Sequence, residues 1–138
     1  FSLDIGADLK IEGVVDRVEQ LPAGGVEVID YKSGSSPDRN LARGNRQLLI
    51  YAMACREAWS LHPQRVSLYY LACNTTQSWL ITRSDIEDLR ETIVATGHQI
   101  RMAEFHPRTG THCTSCDFIH ACNYGQAWVA SSGKGLEL

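Results

Sequence analysis

Two acid-bearing strand candidates separated by a glycine-rich turn constrain this chain more than any other feature. Gly13-Val14-Val15-Asp16-Arg17 is followed, across Leu21-Pro22-Ala23-Gly24-Gly25, by Val26-Glu27-Val28-Ile29-Asp30-Tyr31-Lys32 and then Ser33-Gly34. Runs of Val and Ile between turn residues predict strands, and residues two apart share a strand face, so Asp30 and Lys32 point the same way. Charged side chains ending an apolar strand are costly to desolvate unless they bind something. Two carboxylates beside one lysine suit a hard divalent cation, with the ammonium left to meet an anion or an attacking water. The alternative is a plain ion pair on a solvated strand end, because Asp-x-Lys alone is a weak pattern.

The companions of that pattern narrow it. Ser33-Gly34 turns the chain directly after the lysine, and Gln47-x-x-x-Tyr51 follows on a predicted helix, where the spacing stacks the two side chains on one face. In this order the motifs resemble the RecB-like branch of the PD-(D/E)XK nuclease superfamily, over roughly residues 11 to 124. The resemblance implies an α/β fold with a restriction-endonuclease-like core, a mixed β-sheet flanked by helices. It implies Mg²⁺ or Mn²⁺ on Asp16 and Asp30, with the backbone carbonyl of Tyr31 completing the metal site. Lys32 would orient or activate the attacking water and offset charge on the pentavalent phosphorane. Gln47 and Tyr51 would line the cleft as catalytic residues, and Arg17, where the family commonly has an arginine, would contact DNA. Family members usually carry a further His or Glu on a helix before the first strand. This chain opens at Phe1-Ser2-Leu3-Asp4, strand-like and without an initiator Met, and so reads as an excised domain lacking that helix.

At 138 residues, 43% hydrophobic and 21% charged, the chain has one domain's worth of core. No apolar stretch reaches the length of a membrane span and no signal peptide is visible. A net charge of −3 argues against a general polyanion-binding surface. Metal-site carboxylates contribute to that charge, however, and cation binding neutralises them. Five cysteines, an odd number, suggest no secreted disulfide framework and point to a reducing cytoplasm.

Residues 2–5 and 9–20 read as two strands around Gly6-Ala7-Asp8, and 26–32 as a third, an antiparallel meander. Residues 33–44, rich in Gly and Ser, form a loop. Arg39, Arg43 and Arg46 lie in or just beyond it, giving either a solvated loop or a basic lip guiding a nucleic-acid strand. Asn45 to Trp59 is a helix with Leu48, Tyr51, Ala52, Cys55, Ala58 and Trp59 on one stripe. Strands at Val66–Cys73 and Gln77–Thr82 follow, joined by Asn74-Thr75-Thr76. A capping box with Ser84 as N-cap and Glu87 at N3 starts a helix running to about Glu104, with Ile86, Leu89, Ile93, Ile100 and Ala103 inward. The order β-β-β-α-β-β-α suits a mixed sheet flanked by helices.

Cys113-x-x-Cys116-x5-Cys122 falls in a loop-like segment after the last helix. Such thiols bind metal or are unrelated. Zinc would recruit His106, His112 or His120, and an iron–sulfur cluster would need a fourth thiolate. Cys55 and Cys73 fall within predicted regular elements. AddB-type and CRISPR-associated RecB-like nucleases carry a trailing run of this kind, with a fourth cysteine before the nuclease core closing a 4Fe–4S cluster. The resemblance therefore implies an iron–sulfur centre on Cys113, Cys116 and Cys122. The domain reading is a nuclease domain over 1–124, including a 106–124 metal-binding segment, and a flexible tail over 125–138.

The expected function is a metal-dependent DNA nuclease, an exonuclease or helicase-associated nuclease of repair and recombination. Its expected partners are single-stranded DNA or DNA ends and a helicase domain or subunit, with no membrane. A non-catalytic RecB-like binding module with a structural metal, and a zinc-binding interaction domain, are the competing classes. The intact Asp16, Asp30 and Lys32 favour catalysis.

Overall fold

Val26–Lys32 is the strand around which the first part of the chain is built. A computed structural model describes residues 1–6, 8–36 and 40–133. The chain divides into two units, Phe1–His98 and Gln99–Leu138. The first holds β1 (Ser2–Gly6), β2 (Leu9–Glu12), β3 (Arg17–Gln20), β4 (Val26–Lys32), α1 (Arg46–Ala58), β5 (Pro63–Tyr70), β6 (Thr75–Leu80) and most of α2 (Arg83–Arg101). Strands β3-β4-β5-β6 form one mixed sheet, antiparallel at β3/β4 and β5/β6 and parallel at β4/β5. A parallel pair needs a long crossover, and α1 supplies it. The mixed sheet with helices is the α/β architecture expected.

The first strands differ from the sequence reading. Residues 9–20 are not one strand: β2 pairs only with β1 as a separate two-stranded sheet, and β3 begins afresh beside β4. Gly13 N–H donates to the Phe1 carbonyl at 3.1 Å, and a Cβ on Gly13 would stand 2.8 Å from the Phe1 ring. The hairpin is closed there, so 13–16 becomes a link between two sheets. The meander is thereby corrected to β-β-β-β-α-β-β-α, with Asp16 in the link rather than on a strand.

Asn45 caps α1 through its side chain, which accepts the Leu48 amide at 3.1 Å. Leu48, Ala52, Met53 and Cys55 are fully buried against Val28, Val66 and Leu68 of the sheet. The stripe loses its last turn, because the helix ends at Ala58 and leaves Ala58 and Trp59 exposed. Strand β5 starts at Pro63 and ends at Tyr70, so Cys73 lies exposed in the turn rather than in a buried strand. That turn closes through Asn74 at φ 51, a left-handed conformation asparagine tolerates.

Helix α2 is capped two residues earlier than expected. Thr82 N–H donates to Asp85 Oδ2 at 2.6 Å and Asp85 N–H returns to Thr82 Oγ1 at 3.3 Å, a reciprocal box that displaces Ser84 and Glu87. Ile86 and Leu89 are buried and Ile93 packs on the core, but Ile100 is exposed. Ala103, beyond the helix end at φ 55, is exposed as well. No helix among the described residues is long and apolar enough to cross a membrane.

The second unit contains two short 3₁₀ turns, Thr111–Ser115 and Ile119–Ala121, and α3 (Asn123–Ser132). The segment read as a tail is thus helical through Ser132, ended by Gly133 at φ 66. The last five residues lie outside the described ones.

The two thiols outside the C-terminal cluster should behave oppositely. Burial pushes the Cys55 thiol up to about 11. Cys73 is exposed, and hydrogen bonds from Thr75 and the Ser36 amide lower its thiol below the ordinary value. Mass-mapped alkylation at neutral pH is expected to label Cys73 in the native protein and Cys55 only after denaturation. Equal labelling of both before denaturation would contradict this packing.

Candidate active site

The β3/β4 ladder ends at the pair Arg17 and Ile29; Asp30 is the next residue of β4, and Asp16, just before β3, reaches the Tyr31 amide. Asp30 is 3% exposed. Its Oδ2 lies 2.7 Å from Lys32 Nζ, yet it is buried and accepts no aligned hydrogen bond. The ammonium donates instead to Gln47 Oε1 at 3.1 Å, and Gln47 Nε2 donates to the Tyr51 hydroxyl at 2.9 Å. A lysine ammonium has only donors, so the amide oxygen must face it. Tyr51 then accepts from the amide nitrogen and keeps its own proton to donate. Four of the expected side chains are therefore joined in one chain across β4 and the first turns of α1.

Asp16 is exposed, and its Oδ2 accepts the Tyr31 amide at 3.0 Å. Tyr31 points its ring to the opposite sheet face, edge-on to Tyr69 with centroids 5.6 Å apart. Arg17 is on that face too, donating to the Tyr31 hydroxyl at 3.2 Å and paired with Glu19. It is therefore not brought to the Asp30 side. Arg46 lines a groove with Trp79, Asp85 and Asp88, and Arg43 is exposed in the loop. Arg39 lies outside the described residues. Of the basic lip, the described residues include Arg43 and Arg46, both exposed.

Sequence reasoning missed Glu27. It faces away from Asp30, 7% exposed, bonded by Arg65 Nη2 at 2.6 Å and by Ser67 Oγ. Burial alone would raise its carboxyl, but the Arg65 and Ser67 bonds outweigh that and hold it below the ordinary value. The signal was present: an acid in the middle of a Val-Ile strand demands a partner. Glu27 is fully engaged, so it adds no ligand to the Asp30 side. Among the described residues no three His, Cys, Asp or Glu side chains converge as a metal group. The hard oxygens of this region are the Asp30 carboxylate, buried beside Lys32 at 2.7 Å with Oδ2 in no aligned hydrogen bond, and the exposed Asp16 carboxylate at the Tyr31 amide, donors of the kind a divalent cation takes.

In the second unit Cys113 is buried, and Cys116 and Cys122 are half-buried. Cys122 is the N-cap of α3, its Sγ accepting the Gly125 amide at 3.4 Å. His112 Nε2 is engaged with the Arg108 carbonyl at 2.9 Å, and His106 and His120 are exposed.

No curated protein matches the chain. The family model of the PD-(D/E)XK nuclease superfamily matches residues 1–123, spanning Asp16, Asp30, Lys32, Gln47, Tyr51 and all three C-terminal cysteines. Enzymes of this superfamily are typically nucleases that act with divalent metal ions. With 123 of 138 residues matched, the chain belongs to the PD-(D/E)XK nuclease superfamily.

Proposed function

We propose that this chain is a Mg²⁺- or Mn²⁺-dependent deoxyribonuclease of the RecB-like branch, hydrolysing phosphodiesters of single-stranded DNA or DNA ends. The observation that carries this is the linked set Asp30–Lys32–Gln47–Tyr51, with Asp16 at the amide of the intervening Tyr31. Asp16, Asp30 and the Tyr31 carbonyl would hold the cation, which supplies Lewis-acid polarisation of the phosphate and a nucleophilic water at neutral pH. Lys32, half-buried with its ammonium held between Asp30 and Gln47, presents fixed positive charge to a phosphate and stabilises the charge that develops on it. Gln47 holds that ammonium in place, and its amide nitrogen donates to the Tyr51 hydroxyl. Arg43 and Arg46, both exposed, remain available to a DNA backbone, whereas Arg17 is engaged with Tyr31 and Glu19.

For the second unit the reading is a thiolate metal centre: a 4Fe–4S cluster on Cys113, Cys116, Cys122 and a fourth ligand, or zinc with a histidine. A role in repair or recombination, a helicase partner and a cytoplasmic setting belong to the same reading.

The test is cleavage of end-labelled single- and double-stranded DNA with Mg²⁺ or Mn²⁺, reversed by a chelator. DNA binding without metal-dependent cleavage would replace this reading with the non-catalytic binding module. Gln47→Ala should lower turnover by about 10²-fold, the scale of a misplaced catalytic group, with DNA affinity little changed. Unchanged turnover would leave Gln47 a surface residue.

A further inference from the structure

Lys32 and Gln47 hold each other at 3.1 Å, yet they sit on different elements, β4 and α1, joined by residues 33–45. Core packing secures α1 from Leu48 onward, whereas Arg46 and Gln47 just ahead of it are exposed. The N–H groups of a helix's first turn have no partners within the helix, so its placement depends on how the chain enters it.

One side chain of β6 meets that connection twice. Gln77 pairs with Leu68 in the β5/β6 ladder, so it lies, half-buried, on the sheet face that packs against α1. A polar group there needs partners. Its Oε1 accepts the Leu41 amide at 2.7 Å, and its Nε2 donates to Ser36 Oγ at 2.9 Å. The Leu41 N–H can only donate, which sets the orientation of the Gln77 amide. Ser36 is four residues beyond Lys32, and Leu41 is six before Gln47. From Leu41 the path to the helix is held throughout. Ala42 is fully buried, its carbonyl accepts the Asn45 N–H at 3.2 Å, and Asn45 caps α1. Asn40 adds a tie to the same strand, donating to the Ser78 carbonyl at 3.1 Å while accepting the Ala42 amide at 2.9 Å. We propose that Gln77 is a positioning residue for the nuclease site: by joining Ser36 and Leu41 to one amide on β6, it sets the entry of α1 and so holds Gln47 against Lys32. The inference rests on the nuclease reading above and deepens it. Gln77 touches no reacting atom and acts through Gln47.

The substitution Gln77→Met keeps the length and bulk of the side chain and removes both bonds. The full chain would be assayed on end-labelled single-stranded DNA with Mg²⁺ or Mn²⁺, with circular dichroism as the check of folding. Gln77→Met should lower kcat about 10-fold with KM little changed, a smaller loss than that of Gln47→Ala because Gln47 is displaced rather than removed. A merely structural role would cost the same whether or not Gln47 is present. Acting through Gln47, it would not: in a Gln47→Ala background, adding Gln77→Met should change kcat by less than about 2-fold. Should Gln77→Met unfold, Ser36→Ala, which removes the hydroxyl that Gln77 Nε2 reaches, runs the same cycle with the same expected loss of coupling. Parent-like kcat in the folded variant, a rise in KM with kcat unchanged, or losses that multiply in the double variant would each overturn the role of Gln77 while leaving the nuclease reading standing. A parent chain without metal-dependent cleavage would overturn both.

Discussion

Asp30→Ala should reduce divalent-cation-dependent DNA cleavage by about 10³-fold or more, the equivalent of several kcal/mol of transition-state stabilisation. The same change should leave the fold intact. Asp30 Oδ2 makes no aligned hydrogen bond, and its partner at 2.7 Å is the half-buried Lys32 ammonium, which stays solvated when the carboxylate is removed. Lys32 then remains with Gln47 and with solvent. Lys32→Ala differs: it also lowers cleavage, but it leaves the Asp30 carboxylate buried with no cation beside it, and stability should fall. Cleavage rates beside thermal unfolding of both variants separate the two effects. Parent-like cleavage by Asp30→Ala would remove Asp30 from the active site.

The second large effect lies on the other face of the sheet. Arg65→Ala strands the Glu27 carboxylate with Ser67 as its remaining partner, which should lower stability by about 3 kcal/mol. The pH dependence has a definite sign. Because the Glu27 carboxyl is held below its ordinary value in the fold, its contribution is complete above the ordinary carboxylate range. It is lost as pH falls through the lowered value. Urea unfolding at a series of pH values should show that acid-side loss in the parent, and a shallower one in Glu27→Gln. An Arg65→Ala variant within about 0.5 kcal/mol of the parent would mean that this pair is no more than a surface contact.

Strand alternation made the shared face of Asp30 and Lys32 readable from sequence, and helical spacing did the same for Gln47 and Tyr51. These are local periodicities, and the structure keeps them. Asp16 was harder, because whether 9–20 is one strand depends on the Phe1 to Gly13 contact, which no local pattern encodes. Arg17 was read toward DNA from its position in a motif. Its face is set by register against Ile29, which turns it to Tyr31. The α2 cap shows a different failure. Thr82-x-x-Asp85 and Ser84-x-x-Glu87 are both capping boxes, and β6 ends in time for the first to form. The helical content of 123–132 was hidden behind a glycine-containing, weakly patterned segment whose N-cap is a cysteine rather than the usual Ser, Thr, Asp or Asn.

Strand β4 is hydrogen-bonded to a neighbour on each side, whereas Asp16 belongs to the link between two sheets. Moving Asp30 means breaking ladders on both flanks, an opening close to global unfolding. Moving Asp16 requires breaking its one bond to the Tyr31 amide and bending residues 13–16. The two acids of the proposed site thus belong to regions of different cooperativity. A rigid carboxylate built into the sheet waits for a second that adjusts its reach at little free-energy cost.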